Sequence, residues 1–318
     1  MLAFVVAAVL GSTGPQSPPP AVAQTESSQP SSADAASVRL EDVEVTGQRD
    51  DMVRAFVNTV AAPNRHRGIA RWDKDICIGV ANLRPEGAQY IVDRVSTVAE
   101  DVGLTPGEPG CAPNVIIIAS TSADALAAEL VEERGRAFRM GGAGMDRGRA
   151  ALDAFVNSDR PVRWWQVSMP TNADTGAPAV RLPGDCQGTC SSASDFAPVN
   201  RIATGSRLAL PIIDNLFRTV IILDVDQVSR VSIRQLADYL AMITLAQVDP
   251  DADTGAYVSV LNVFDDPAST DGLSGWDEAY LHGLYEPVRI RRSPSAARSA
   301  LSTSIHRARE RLNTEAPD

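Results

Sequence analysis

Asn114-Val115-Ile116-Ile117-Ile118-Ala119 is a short apolar run, mostly β-branched, and such a run reads as a strand buried inside a sheet. Upstream of it, Ala88, Ile91, Val92, Val95, Val98, Ala99 and Val102 recur at helical spacing as far as Gly103. That pattern predicts one amphipathic helix, ended by the glycine. Before the helix, Ile76-Cys77-Ile78-Gly79-Val80 reads as a second strand. Downstream, Ser122 is placed to cap a helix that turns Leu126 and Leu130 inward and stops near Gly135. A strand–helix–strand–helix order lays helices on a largely parallel sheet. The expected fold class is α/β (α+β), a mixed, partly parallel sheet with packed helices.

The chain beyond Gly135 continues in the same alphabet. Gly141-Gly142-Ala143-Gly144 follows no strand and carries no Lys-Ser/Thr pair, so it is read as a loop and not as a phosphate cradle. No cofactor is expected. A helix is predicted over 148–156 and a strand over Pro161–Met169, whose Trp164 and Trp165 must face opposite sides of the sheet. Residues 170–205 are rich in Gly, Pro and Ser and carry two cysteines, which reads as an irregular, cysteine-clipped excursion. Thr219–Val225 is a further strand. Asp224 and Asp226 alternate at its end, either as a carboxylate pair suited to acid–base work or simply as the end of the strand. Ser232-Ile233-Arg234-Gln235 is a capping box, followed by Leu236, Leu240 and Ile243 as the buried stripe of a helix. The last predicted helix, Pro294–Leu312, is capped by Ser293 and has Ala297, Leu301, Ile305, Ala308 and Leu312 as its inner stripe. Arg307, Arg309 and Arg311 fall in its last turns, where they complement the helix dipole.

With 318 residues and 44% hydrophobic content, the chain can bury a large core. A net charge of -11 and a pI near 4.8 disfavour nucleic acid and anionic membrane as partners. Leu2 to Leu10 followed by Ala21-Val22-Ala23 has the form of a secretory signal over 1–23, too short to span a bilayer. This predicts a periplasmic or secreted protein, mature from about Gln24, with no transmembrane span after cleavage. Residues 24–42 are read as a disordered linker. Val43-Glu44-Val45-Thr46-Gly47-Gln48-Arg49 resembles a short segment near the mature start of TonB-dependent receptors. Over so few residues, a small edge strand at the entrance of one globular domain spanning 52–313 is the reading taken. In an oxidising compartment Cys77 with Cys111 and Cys186 with Cys190 are the preferred disulfides; an alternative makes Cys186 and Cys190 half of a zinc site.

Leu273-Ser274-Gly275-Trp276-Asp277-Glu278-Ala279-Tyr280-Leu281-His282-Gly283-Leu284-Tyr285 has the form L-S-x-x-D-x-x-x-L-x-x-L-Y. It follows, in order, the strand at Thr219–Val225, the helix after Ser232 and the turn Ser259-Val260-Leu261. That succession resembles the C-terminal half of zincin metallopeptidases, in which a strand precedes an H-E-x-x-H helix, a turn follows, and a closing helix carries this pattern. The resemblance implies a zincin-like scaffold and places Arg234 and Asp238 where the two histidines would stand, with Gln235 at the glutamate. The turn glycine and third ligand of the extended pattern fall on Ala241 and Thr244. A guanidinium repels a dication, an amide is no general base near neutral pH, and Asp238 at i+4 can pair with Arg234.

The functional expectation is an exported, non-catalytic zincin-like protein acting as a binding or assembly module at the cell envelope. Its groove would be floored by Arg234, Gln235 and Asp238 and would hold a peptide or an envelope protein. An alternative is a hydrolase whose rearranged metal or carboxylate site uses Asp238, Asp277 and His282; against it, Asp277 reads as a cap or brace of its helix and His282 as solvent-facing. Asp249, Asp251 and Asp253 alternate before Thr254-Gly255, like the first ligands of a calcium loop, although Pro250 and the missing later glutamate also fit a solvated acidic turn.

Overall fold

The structure is a computed structural model and describes residues 51–64, 67–73, 75–138, 144–180, 211–286 and 294–315. The signal (1–23), the linker (24–42), the segment 43–49, Gly141–Ala143 and Cys186 with Cys190 lie outside the described residues.

The chain is α/β. A helix over 51–60 (α1) leads to a strand that breaks at Cys77 into β1 (Asp75–Ile76) and β2 (Ile78–Ala81). Helix α2 (Pro85–Asp101) starts on its proline, whose fixed φ and missing N–H suit a first turn, and ends at Gly103 with φ 84°. Strands β3 (Thr105–Pro106) and β4 (Val115–Ser120) follow, then α3 (Ala123–Glu133), α4 (Gly135–Phe138) and α5 (Arg149–Val156). Ser122 does not cap α3 through its side chain; its own N–H donates to Ser120 Oγ. Strand β5 (Val162–Asn172) and strand β6 (Ile212–Asp224) are longer than the sequence suggested, so the irregular excursion expected from 170 begins only after Asn172. Asp224 is a helix cap, accepting from the N–H groups of Asp226 and Gln227 at the start of α6 (Val225–Val228). Asp226 lies in that helix, so the two carboxylates do not share a strand face. Then come α7 (Ile233–Leu245), a short turn of helix at Val260–Asn262, α8 (Gly275–Tyr285) and α9 (Pro294–Glu315).

The main sheet has the order β2-β4-β6-β5. Its first three strands are parallel, and β5 is antiparallel to β6 and occupies the edge. A small parallel pair, β1 with β3, lies beside Cys77. The disulfide between Cys77 and Cys111 forms as expected, and Asn114 fastens the same corner, accepting from Cys77 N–H and donating to the Asp75 carbonyl.

Alternation along the strands divides the core in two. Ile117, Trp164, Ile221 and Leu223 pack on one face with α1, α2, α7, α8 and α9. Trp165, Val167, Val220 and Ile222 pack on the other with α3, α4 and α5. Both tryptophans are thus core, one to each face. Helix α7 departs from expectation: every residue from Gln235 to Leu245 is buried, because α2, α8 and the sheet enclose it on all sides. A helix surrounded in this way needs no polar face of its own.

The contact between α8 and α9 is close enough to require glycine. A Cβ on Gly283 would stand 2.5 Å from Ile305 Cγ1 and 2.6 Å from its backbone N. Gly283→Ala is expected to lower stability by about 1–3 kcal/mol, the usual cost of overpacking, read as a fall in melting temperature. The guanidinium of Arg309 lies 4.0 Å above the Trp276 ring, a cation–π contact that ties α9 to α8. Among the described residues, no helix is long and apolar enough to cross a membrane.

Candidate functional site

Gln235 and Asp238 of α7 are committed to holding the chain together. The capping box forms: Gln235 N–H donates to Ser232 Oγ, and Ser232 N–H to Gln235 Oε1. The Gln235 amide also donates to the carbonyls of Pro267 (2.7 Å) and Thr270 (2.8 Å). Asp238 is fully buried. It accepts from Arg94 Nε on α2 and from Leu273 N–H, so its ion pair is with Arg94 and not with Arg234. Arg234 is exposed. The groove expected over Arg234, Gln235 and Asp238 is therefore covered by the chain's own segment 267–273. Gly272 permits this, since any Cβ there would collide with the Asp238 carboxylate.

Asp277 is equally occupied. Its carboxylate, fully buried, accepts from Ser259 Oγ (2.6 Å), Val260 N–H (2.8 Å), Ser274 N–H (2.9 Å) and Ser274 Oγ (2.8 Å). Burial pushes this carboxyl up from its ordinary value, against the pull of those donors. His282 is half-buried one turn beyond Glu278, at a small cleft it shares with Arg94 and Leu273. Among the described residues no three His, Cys, Asp or Glu side chains are placed to hold a metal. Asp238, Asp277 and His282 thus do not converge into one. The calcium reading meets a similar correction: Asp249 is paired with Arg147 (3.0 Å) and Asp251 with Arg160 (2.6 Å), while Asp253 accepts the N–H of Gly255.

The open concave surface lies elsewhere, along the outer edge of β5. The register of β5 on β6, with Asp224 N–H donating to the Pro161 carbonyl, turns the backbone groups of Val162, Trp164 and Gln166 away from the sheet. None of them has a backbone partner among the described residues. Further on the edge is closed, with Ser168 N–H donating to Met145 and the Pro170 carbonyl accepting from Ala179. The free stretch opens into a cleft of about 380 Å³ between α5 and residues 247–251. A second cleft of about 620 Å³, lined by Tyr239, Tyr257, Phe264 and Asp265, shares Arg160, Val162 and Pro250 with it. The two clefts adjoin at these shared residues, and together they are called the groove.

Two side chains in this groove escape sequence reasoning. Arg163 is only 4% exposed. It donates to the Val156 carbonyl at 3.1 Å, its Nε has no hydrogen-bond partner, and no carboxylate lies within ion-pair distance among the described residues. Burial lowers its pKa, while Asp124, Asp224 and Asp159, which together with Arg163 line a further cleft, act on it from beyond ion-pair distance in the opposite sense. Tyr239, on α7, is 6% exposed and packs edge-on against Trp164 and Phe264. Its hydroxyl has no hydrogen-bond partner among the described residues, and burial raises its pKa. Nothing local in the sequence marks either residue; a strand arginine beside two tryptophans was the only hint.

No family model matches the chain, and no curated protein or solved structure is found similar to it.

Proposed function

We propose that this chain is a non-catalytic binding module, exported to the cell envelope on a zincin-like scaffold, that takes up an extended peptide segment of a partner protein at the free edge of β5. The observation that carries the reading is the unpaired backbone of Val162, Trp164 and Gln166 facing a cleft. An unpaired edge of this kind, here recessed at the floor of the cleft with Val162 and Trp164 buried and Gln166 half-buried, is a template for another strand, and main-chain hydrogen bonds supply affinity when a peptide is added to a sheet. The scaffold is supported by the order of β6, α7, the turn at Val260–Asn262 and α8, and by Ser259 Oγ tying that turn to Asp277 of the closing helix. Export is supported by the apolar start of the sequence and by the Cys77–Cys111 disulfide. The non-catalytic reading is supported by the commitments of Gln235, Asp238 and Asp277, each of which would have to abandon buried hydrogen bonds to reach a substrate.

The test uses short labelled peptides of strand-forming sequence, unmodified or N-methylated at alternate residues, titrated by fluorescence anisotropy. N-methylation removes donors from one edge of the peptide only. Binding is expected to be lost when the methylated edge is the one that pairs and kept when it is the other. Equal affinity for both methylation patterns would mean that the groove does not pair strands.

A further inference from the structure

The groove is electrically divided. At the end along β5, Arg147 is paired with Asp249 and Arg160 with Asp251, while the buried guanidinium of Arg163, on which Asp124, Asp159 and Asp224 act from the other cleft it lines, has no carboxylate at contact distance. At the other end, Asp253, Asp265 and Asp266 line the cleft with Tyr239, Tyr257 and Phe264, and Arg160, its cation, is already taken by Asp251. One end is thus a donor looking for an acceptor. The other combines aromatic rings, carboxylates and the unpartnered Tyr239 hydroxyl. Aromatic faces beside carboxylates favour an ammonium or guanidinium, and a buried guanidinium favours a carboxylate, which it can bind in bidentate fashion. The protein as a whole is strongly acidic, so a local positive end cannot be put down to net charge.

We infer that the preferred ligand is an extended peptide of opposite charges, with a Lys or Arg side chain seated among Tyr239, Tyr257, Phe264 and Asp265 and a carboxylate seated on Arg163. This rests on strand addition at β5 and adds to it the chemistry of the partner. The pairing Val162–Gln166 spans ~13 Å at the usual strand rise, so the two charged residues stand several positions apart in the peptide, on either side of an apolar centre.

The experiment compares four labelled peptides with one common strand-forming centre: Lys at one end and Glu at the other, Lys at both, Glu at both, and Lys with Gln. Because the protein is acidic, general attraction alone would rank the doubly basic peptide first. The Lys/Glu peptide is expected instead to bind roughly tenfold more tightly than either like-charged peptide and than Lys/Gln, the size of one charge-assisted contact. Arg163→Gln should remove the advantage of Glu over Gln, and Tyr239→Phe should weaken all Lys-bearing peptides. Should Arg163→Gln fail to fold, the Lys/Glu against Lys/Gln comparison on the unaltered protein still decides. Tightest binding by the doubly basic peptide, or equal affinity for all four, would overturn the charge assignment. If sensitivity to N-methylation persisted in that case, strand addition would survive without it; loss of that sensitivity would remove both.

Discussion

Replacing Asp277 by alanine is expected to cost about 3–5 kcal/mol, the range found when one partner of a fully buried polar network is removed. The carboxylate gathers four donors from three residues: the hydroxyl of Ser259, the N–H of Val260, and both the N–H and hydroxyl of Ser274, the last of which also has the Val258 carbonyl as acceptor. Its loss strands the Ser259 hydroxyl and the Val260 N–H away from water and undoes half of the capping box of α8, the part in which the side chain accepts from Ser274 N–H, together with the anchor of the turn at Val260–Asn262. In a protein of this size the melting temperature should fall by on the order of 10 °C. Asp277→Asn keeps an acceptor oxygen and should fall between. Ser259→Ala and Ser274→Ala remove one donor each and should cost about 1 kcal/mol apiece. Thermal unfolding of the four variants, followed by circular dichroism, gives the ranking. A stable, fully folded Asp277→Ala would mean that the network does not brace the closing helix, and would reopen a chemical role for this carboxylate.

The second large effect concerns the corner at Cys77. The disulfide to Cys111 closes a loop across a sequence separation of 34, and within it lie all of α2 and β3. Constraining an unfolded chain over such a loop is worth about 3–4 kcal/mol in the chain-entropy account. The paired Cys77→Ser, Cys111→Ser variant is therefore expected to unfold at a markedly lower denaturant concentration, with a somewhat steeper dependence on denaturant because the unfolded chain is no longer cross-linked. The Asn114 bonds to Asp75 and Cys77 should keep the native fold reachable. An unchanged midpoint would show that the bridge adds nothing beyond the neighbouring hydrogen bonds.

How much could be read in advance depended on the range of each interaction. The strands at 76–80 and 114–119, the helix between them, the capping box at Ser232 and the opposed tryptophans all follow from periodicity or from contacts within a few residues, and all are found. What was illegible depends on partners far along the chain. Asp238 sits one helical turn from Arg234, so a local reading pairs them; its actual partner, Arg94, comes from α2, which packs along α7. Burial of α7 on all sides is written in its own residues, since from Leu236 to Leu245 only Asp238 and Thr244 interrupt the apolar run, but a reading that looks for one buried stripe passes over it. The reversed direction of β5 mattered most for the site. A strand that reads the same in either direction was taken as part of a largely parallel sheet, whereas running antiparallel at the margin it leaves an unpaired edge beside Arg163 and Tyr239. The Asp249–Asp253 pattern shows the converse: its spacing is that of a calcium loop, yet arginines from the loop before α5 and from the turn before β5 supply the positive charge.

The central claim is that the working surface is the free edge of β5 and not the polar positions of α7. Amide hydrogen exchange, measured with and without a saturating Lys/Glu peptide and resolved to single residues, addresses it directly. The amides of Val162, Trp164 and Gln166 are expected to gain protection while those of α7 and of residues 267–273 stay as they were, with the peptide recovered intact. Protection centred on Asp238 and Leu273, or recovery of cleaved peptide, would contradict it.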